Sequence, residues 1–401
     1  MLLPSFSFLI RINKIADLCT IIGFVVISYQ PMSINIMKIK AVIDYLASVA
    51  PPSYQESYDN AGLIVGDKQA EVTGVLIALD TTEPVLDEAI EKGCNLIVAH
   101  HPIVFGGLKR FTGANYVERV IIKAIKNNIA IYVAHTNLDN VYDHGVNAKI
   151  AEKLGLVNTK ILAPKKQLLK KLFVFAPLDA AEKVKNALFD AGAGEIGNYS
   201  ACSFVVEGTG SFKANEAANP TLGKKSERHL EQEEKIEVIF PAYLQGAIIR
   251  ALLAAHPYEE VAYDIIALDN AYAKVGAGMI GELETPVDSL TFLQGVKQQM
   301  KTDCVRYTTI CKPQIKKVAV CGGAGSFLLR NAIGAGADVF ITADYKYHQF
   351  FDAENRIIIA DIGHYESEQF TIELFYELLT QKFLNFTVYC TDINTNPINY
   401  L

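Results

Sequence analysis

The sequence predicts an α/β protein with largely parallel sheets, carried on two outer segments and interrupted by a ferredoxin-like α+β segment. Continuous apolar runs at 75–79, 96–99 and 129–134, and again at 318–321, 339–342 and 356–360, alternate with helically spaced stretches. Runs without a polar face are the signature of strands covered on both sides, as in parallel sheets. Between the two groups, a strand-helix-strand order occurs twice, which fits a ferredoxin-like sandwich of about a hundred residues.

Taken in order, the first helix follows Met37, where Ile39, Val42, Ile43, Leu46 and Val49 fall at helical spacing. A glycine-containing segment, Asp59-Asn60-Ala61-Gly62-Leu63-Ile64-Val65-Gly66, leads to the strand at 75–79 and then Asp80. Pro84 suits the first turn of the next helix, which runs to about residue 92. The strand at 96–99 ends in His100-His101-Pro102, and the strand at 129–134 ends in His135-Thr136-Asn137-Leu138-Asp139, with a helix at 116–126 between them. Past Pro164-Lys165-Lys166 the rhythm changes to strand 172–177, helix 180–191 and strand 202–207. After a polar stretch at 208–234 come strand 236–241, helix 243–256 and strand 260–268. From about Gly281 the first rhythm returns, with a glycine turn at 322–326, Asp344 after one strand, 361–368 after another, and an amphipathic helix to about residue 383. The expected division is an N-terminal extension (1–36), the first half of a site-bearing α/β lobe (37–160), an insert (165–275) and the second half of the lobe (281–401).

Composition narrows the functional classes. A chain of 401 residues calls for two or three packed units, and half of its residues are apolar, as in globular proteins. A net charge of −7 and a pI near 5.7 argue against a nucleic-acid partner. The seven cysteines form no C-x-x-C pair, which points to a reducing, cytoplasmic location. The apolar stretch at 15–29 sits behind Arg11 and Lys14, but Asp17 interrupts it and it falls short of the ~18 residues a spanning helix needs. A natural start at Met37 accounts for it more simply than a membrane anchor.

Chemistry gathers at the strand ends, where open α/β sheets place functional loops. Four of the eight histidines lie in three such loops: His100-His101, His135 with Asp139, and His364 with Glu368. Singly, each has an ordinary reading as a packing contact, a helix cap or a solvent-exposed i,i+4 pair. Jointly, His100, His101, Asp139, His364 and Glu368 form a mixed nitrogen and oxygen set suited to zinc, manganese, iron, cobalt or nickel. Five ligands exceed the three of a single open zinc site, so two divalent ions sharing a carboxylate are expected, with Glu368 as the bridge. Asp80, His135, Asp344 and His348 are candidates for holding ligands in place or moving protons. Gly322-Gly323-Ala324-Gly325-Ser326 could cradle a phosphate or form a tight packing turn; it lacks the P-loop Lys-Ser/Thr and a G-x-G-x-x-G run.

The Asp59–Gly66 segment, Ala99-His100-His101-Pro102, His135-Thr136-Asn137-Leu138-Asp139 and Gly363-His364-Tyr365 with Glu368 together resemble the NIF-three-like dinuclear metal-centre family, whose members are named as homologues of GTP cyclohydrolase 1 type 2. The resemblance runs from Met37 onward and keeps all five ligand positions. It implies a two-lobed fold, a PII/CutA-like identity for the insert, and a toroidal homohexamer with metal pairs facing an internal cavity. It further implies a metal-dependent hydrolase acting on a nucleotide or other small molecule, by opening a purine imidazole ring. The same ligands would serve a non-catalytic metal-binding protein whose insert senses a ligand or partner. No G-x-S-x-G elbow or catalytic-cysteine context competes with the metal reading.

Overall fold

The computed structural model describes residues 37–401, so the expected extension at 1–36 lies outside the described residues. The first third supplies β1 (Gly62–Val65), β2 (Gly74–Ala78), β3 (Leu96–Ala99) and β4 (Ala130–Val133). Next come β5 (Val157–Lys165), then β6 (Leu169–Pro177), β7 (Phe204–Lys213), β8 (Arg228–Pro241) and β9 (Tyr263–Leu268). The last third adds β10 (Tyr272–Asp288), β11 (Arg306–Tyr307), β12 (Gln314–Ala324), β13 (Val339–Ala343), β14 (Ile358–Asp361) and β15 (Thr387–Cys390).

Three sheets result, in the orders β1-β4-β3-β2-β15, β11-β14-β13-β12-β10-β5 and β7-β8-β6-β9. The centres of the first two are parallel, through β4-β3-β2-β15 and β14-β13-β12. Their flanks are antiparallel, at β1 in the first sheet and at β11, β10 and β5 in the second. The outer segments are interwoven: β15, from the end of the chain, pairs with β2, and β5 leaves the first third to pair with β10.

The apolar runs divide their side chains as the strand period requires. Val75, Ile77, Leu96 and Val98 face a core shared with Val318, Val320, Val339 and Ile341 of the second sheet, while Leu76, Ala78, Ile97 and Ala99 face outward onto Leu86, Val120 and Ile121. Both faces are therefore dry, which is why these strands show no polar alternation. Thr82 caps the helix Glu83–Glu91 by accepting from the Val85 amide, and Asn115 caps Tyr116–Lys126 by accepting from Glu118.

The middle segment follows a β-α-β-β-α-β order with every pairing antiparallel and its own core of Leu172, Val174, Val184, Phe240 and Ile248. Much of the polar stretch at 208–234 is strand, since β7 and β8 continue as a two-stranded arm from Gly208↔Glu233 to Lys213↔Arg228. Neither face of that arm is buried, so it leaves no hydrophobic period to read. Among the described residues, no helix is long and apolar enough to cross a membrane. Their cysteines Cys94, Cys202, Cys304, Cys311, Cys321 and Cys390 are free thiols.

Candidate metal centre

The carboxyl ends of the parallel strands in both outer sheets converge on one cavity. His100 and His101 follow β3, His135 and the one-turn helix Thr136–Asp139 follow β4, and the short helix His364–Glu368 follows β14. Gly363 enters that helix at φ +94°, and a side chain there would run into the Glu366 carboxylate 2.1 Å away. The structure thus brings His100, His101, Asp139, His364 and Glu368 together, joining His101 to Glu368 across 267 positions of sequence.

Every histidine of the cluster is pinned through Nδ1. His100 donates to the Ala134 carbonyl at 2.9 Å, His101 meets Asp80 at 2.7 Å, His135 meets Asp59 at 2.8 Å and His364 meets Asp344 at 2.6 Å. Fixing Nδ1 in this way leaves Nε2 available as a ligand atom and sets the direction it faces, the usual arrangement behind metal-binding imidazoles. Asp344 adopts φ +59°, a left-handed conformation rare outside glycine, at the point where it reaches His364.

Glu368 is 2% exposed, and its Oε2 lies 2.9 Å from His101 Nε2, 3.2 Å from His364 Nε2 and 3.7 Å from His100 Nε2. His100 Nε2 is 3.6 Å from Asp139 Oδ1, and both atoms are buried without a hydrogen-bond partner. Unpaired buried acceptors are costly unless a further group satisfies them. The ligand atoms of His101, His364 and Glu368 lie within 4.8 Å of one another, as do those of His100, Asp139 and Glu368, so Glu368 is common to both groups. A cation in each group would satisfy the orphaned atoms and separate the His101 and His364 Nε2 atoms, which stand 3.3 Å apart. The donor set fits divalent ions of the zinc-to-manganese range.

In the ion-free cluster, imidazoles and carboxylates balance one another's charge. Burial pushes Asp139 well above the usual carboxylate range, and the charge of Glu368 adds to it. Burial would raise Glu368 too, but the imidazoles around it hold it well below its ordinary value. Burial keeps His100 low and therefore neutral, whereas the carboxylates flanking His101 and His364 overcome burial and raise them to about 9 and about 11.

The outer candidates divide. Asp80 and Asp344 hydrogen-bond to Nδ1 of His101 and His364. His135 stands closer than an outer role requires, with its ligand atom within 4.8 Å of those of His100 and His101. His348 is elsewhere: it is exposed on the 3₁₀ turn Tyr347–Ala353, against Tyr347 and Phe351, and does not line the cavity. The glycine turn is a packing device. The Gly322 amide donates to Asn147 Oδ1 and the Gly323 amide to Ser367 Oγ, so neither is free for a phosphate. Gly323, at φ +61°, leaves room for Glu368, whose Oε1 would be 2.5 Å from an added Cβ.

Sequence reasoning assigned no role to Asp59, Asn147 or Thr395. Asp59 also accepts from the Thr136 amide and hydroxyl, Asn147 links the Asp139 carbonyl to Gly322, and Thr395 donates to Asp80 at 2.6 Å. Only Asp59, inside the glycine-containing segment, carried a signal, as an acid ahead of a turn.

Comparison with known proteins follows the same lines. The model of the Duf34/NIF3 (NGG1p interacting factor 3) family matches residues 37–397. A Bacillus subtilis (strain 168) protein named GTP cyclohydrolase 1 type 2 homolog is 39% identical over 366 residues, spanning 90% of this chain and 98% of the relative. A Staphylococcus epidermidis (strain ATCC 12228) protein of the same name is 37% identical over 369 residues, covering 91% and 100%. Among solved structures, a Bacillus cereus protein related to NIF3 matches with a TM-score of 0.80 at 40% identity, over 91% of this chain and 100% of that one. A Staphylococcus aureus protein matches at 0.72 and 32%, over 91% and 99%.

Proposed function

Since the chain belongs to the Duf34/NIF3 family, we propose that it binds two divalent metal ions and acts as a metal-dependent hydrolase. The observation that carries this reading is the convergence of four imidazoles, each pinned through Nδ1, with Asp139 and Glu368, three of the imidazoles and both carboxylates lining one cavity and His100 buried behind it. His101, His364 and Glu368 would hold one ion, and His100, Asp139 and Glu368 the other. Such a pair supplies Lewis acidity and a water of lowered pKa, which removes the need for a protein nucleophile.

The remaining work falls to the chain itself. Asp80, Asp344 and the Ala134 carbonyl keep three Nε2 lone pairs aimed inward. Asp59 does the same for His135, which is assigned to neither ion and is placed to accept or return a proton during hydrolysis. The names of the relatives suggest opening of a purine ring as the reaction. A hexameric assembly, a cytoplasmic location and a separate PII/CutA-like module at 165–275 complete the proposal, and no proposed ligand lies in that module.

Elemental analysis combined with a turnover screen tests it, using the metal-reconstituted protein with nucleotides, phosphoesters and small cyclic amides. About two ions per chain and hydrolysis of one class are expected. Two ions with no turnover across the screen would favour a non-catalytic metal protein, and no retained ions would remove the reading.

A further inference from the structure

The cavity also constrains what can enter it. It measures about 660 Å³, within the ordinary range for small-molecule sites. Glu56, Asp80, Asp139 and Glu368 line it, and among the described residues no lysine or arginine does. Lys165, which reaches the lining residue Glu56, is neutralised by that carboxylate. Two divalent ions would not reverse the balance, because Asp59, Asp80 and Asp344, which hold the imidazoles of His135, His101 and His364, add to the carboxylates Asp139 and Glu368 and leave the loaded site without net positive charge. Beyond any bound metal ions, which can themselves ligate a phosphate oxygen, proteins that hold phosphate chains present arginine, lysine or free backbone amides. Here the amides of Gly322 and Gly323 are taken by Asn147 and Ser367.

What the cavity offers instead is aromatic surface. Tyr58, Phe105, Tyr116 and Phe327 line it and are 69%, 57%, 59% and 66% exposed, an unusual grouping of bare rings around one opening. On the same lining, Thr81 is 2% exposed and its Oγ1 has no hydrogen-bond partner. A buried hydroxyl without a partner is expected to find one in a ligand.

We propose that this pocket recognises an uncharged, planar nitrogen heterocycle of nucleobase size, stacked on the exposed rings and hydrogen-bonded by Thr81, and that it discriminates against nucleoside triphosphates. The inference rests on the reading of the cavity as a substrate site, and it narrows the substrate class rather than restating the relatives' names. Stacking is indifferent to charge, while each added phosphate meets the carboxylate lining.

Calorimetric titration of the full chain with hypoxanthine, inosine, inosine 5′-phosphate and inosine 5′-triphosphate tests it at ~0.15 M salt, with the metal content measured on the same sample. The base and the nucleoside should bind at least about tenfold more tightly than the triphosphate. Phe105→Ala and Phe327→Ala should each weaken hypoxanthine by roughly threefold to tenfold while leaving the ion content unchanged. Triphosphate binding as tight as that of the base overturns the proposal. So does a triphosphate preference that disappears in K109A/R110A, which would assign recognition to the exposed basic pair beyond Phe105. Failure of both neutral compounds to bind below ~5 mM also overturns it. Preference for the neutral compounds in a sample that retains no ions would uphold this inference and remove the metal reading.

Discussion

Replacing Glu368 by Gln isolates the feature on which the dinuclear reading depends. One carboxylate oxygen lies 2.9, 3.2 and 3.7 Å from three imidazole nitrogens, on a residue 2% exposed. Gln keeps the volume but removes the charge and turns one oxygen into a donor, so it cannot serve both ligand groups at once. Ion retention should fall from about two per chain to one or fewer. An ion present at a hundred times its dissociation constant stabilises the native state by about 2.7 kcal/mol. For a chain of this length, 1 kcal/mol moves the melting temperature by about 1.3 °C. Two ions should therefore raise the wild-type midpoint by about 7 °C, and the variant should keep half of that or less. Each protein is compared with its own ion-free form by scanning calorimetry, which cancels any direct effect of the substitution on folding. A variant that still holds two ions and shows the full 7 °C shift would show that Glu368 is not the bridge.

Other perturbations follow from particular contacts. Gly323→Ala would place a Cβ 2.5 Å from Glu368 Oε1 at φ +61°, so ion uptake should drop with a loss of roughly 1–3 kcal/mol in stability; Gly334→Ala, with nothing within 4 Å, should leave uptake unchanged. Lys165 and Tyr272 are cross-strand partners, so deleting residues 166–271 and closing the hairpin with a short turn should preserve both outer sheets and the ion content, measured on protein shown to be folded. The same deletion removes the edge contact of Tyr243 on Tyr54 and should lower the melting temperature modestly. Burial would raise the Glu88 carboxyl, but Lys92, the Thr391 hydroxyl and the Asp392 amide outweigh it and hold its pKa below the ordinary value. Its contribution is therefore complete above the unfolded value of about 4.3 and is lost as pH falls through the lower folded value. Hydrogen exchange at Asp392 should accelerate in that acid range in the wild type and already at neutral pH in Glu88→Gln.

The parts of this molecule visible in its sequence are those with a local physical signature. Strands buried on both faces wrote continuous apolar runs, and the abrupt polar ends of those runs located His100, His101, His135, Asp139 and the His364–Glu368 pair. Pairings without a local pattern could not be read. Asp59 meets His135 from 76 positions away, and Thr395 reaches Asp80 across 315. β15 joins β2 through a short strand whose alternate residues are partly exposed, so nothing in its four residues names the partner. His348 shows the opposite failure, since proximity to a strand end in sequence did not bring its side chain to the cavity.

The origin of the proposed ligands has a consequence for folding. His100, His101 and Asp139 are positioned by the first sheet and His364 and Glu368 by the second, while Asn147 joins the Asp139 carbonyl to Gly322 of β12 and so ties the two sheets beside the site. Neither half alone presents both ligand groups, because Glu368 belongs to each. On the proposed two-ion reading, tight binding of the second ion would require the shared core of Val75, Ile77, Val320 and Ile341 to be in place. The free energy of such binding would then accrue to the native state as a whole rather than to a preformed local loop. The interweaving of β5 and β15 between the outer sheets acts in the same direction, since detaching either strand unpairs an edge of the sheet that carries the opposite ligands.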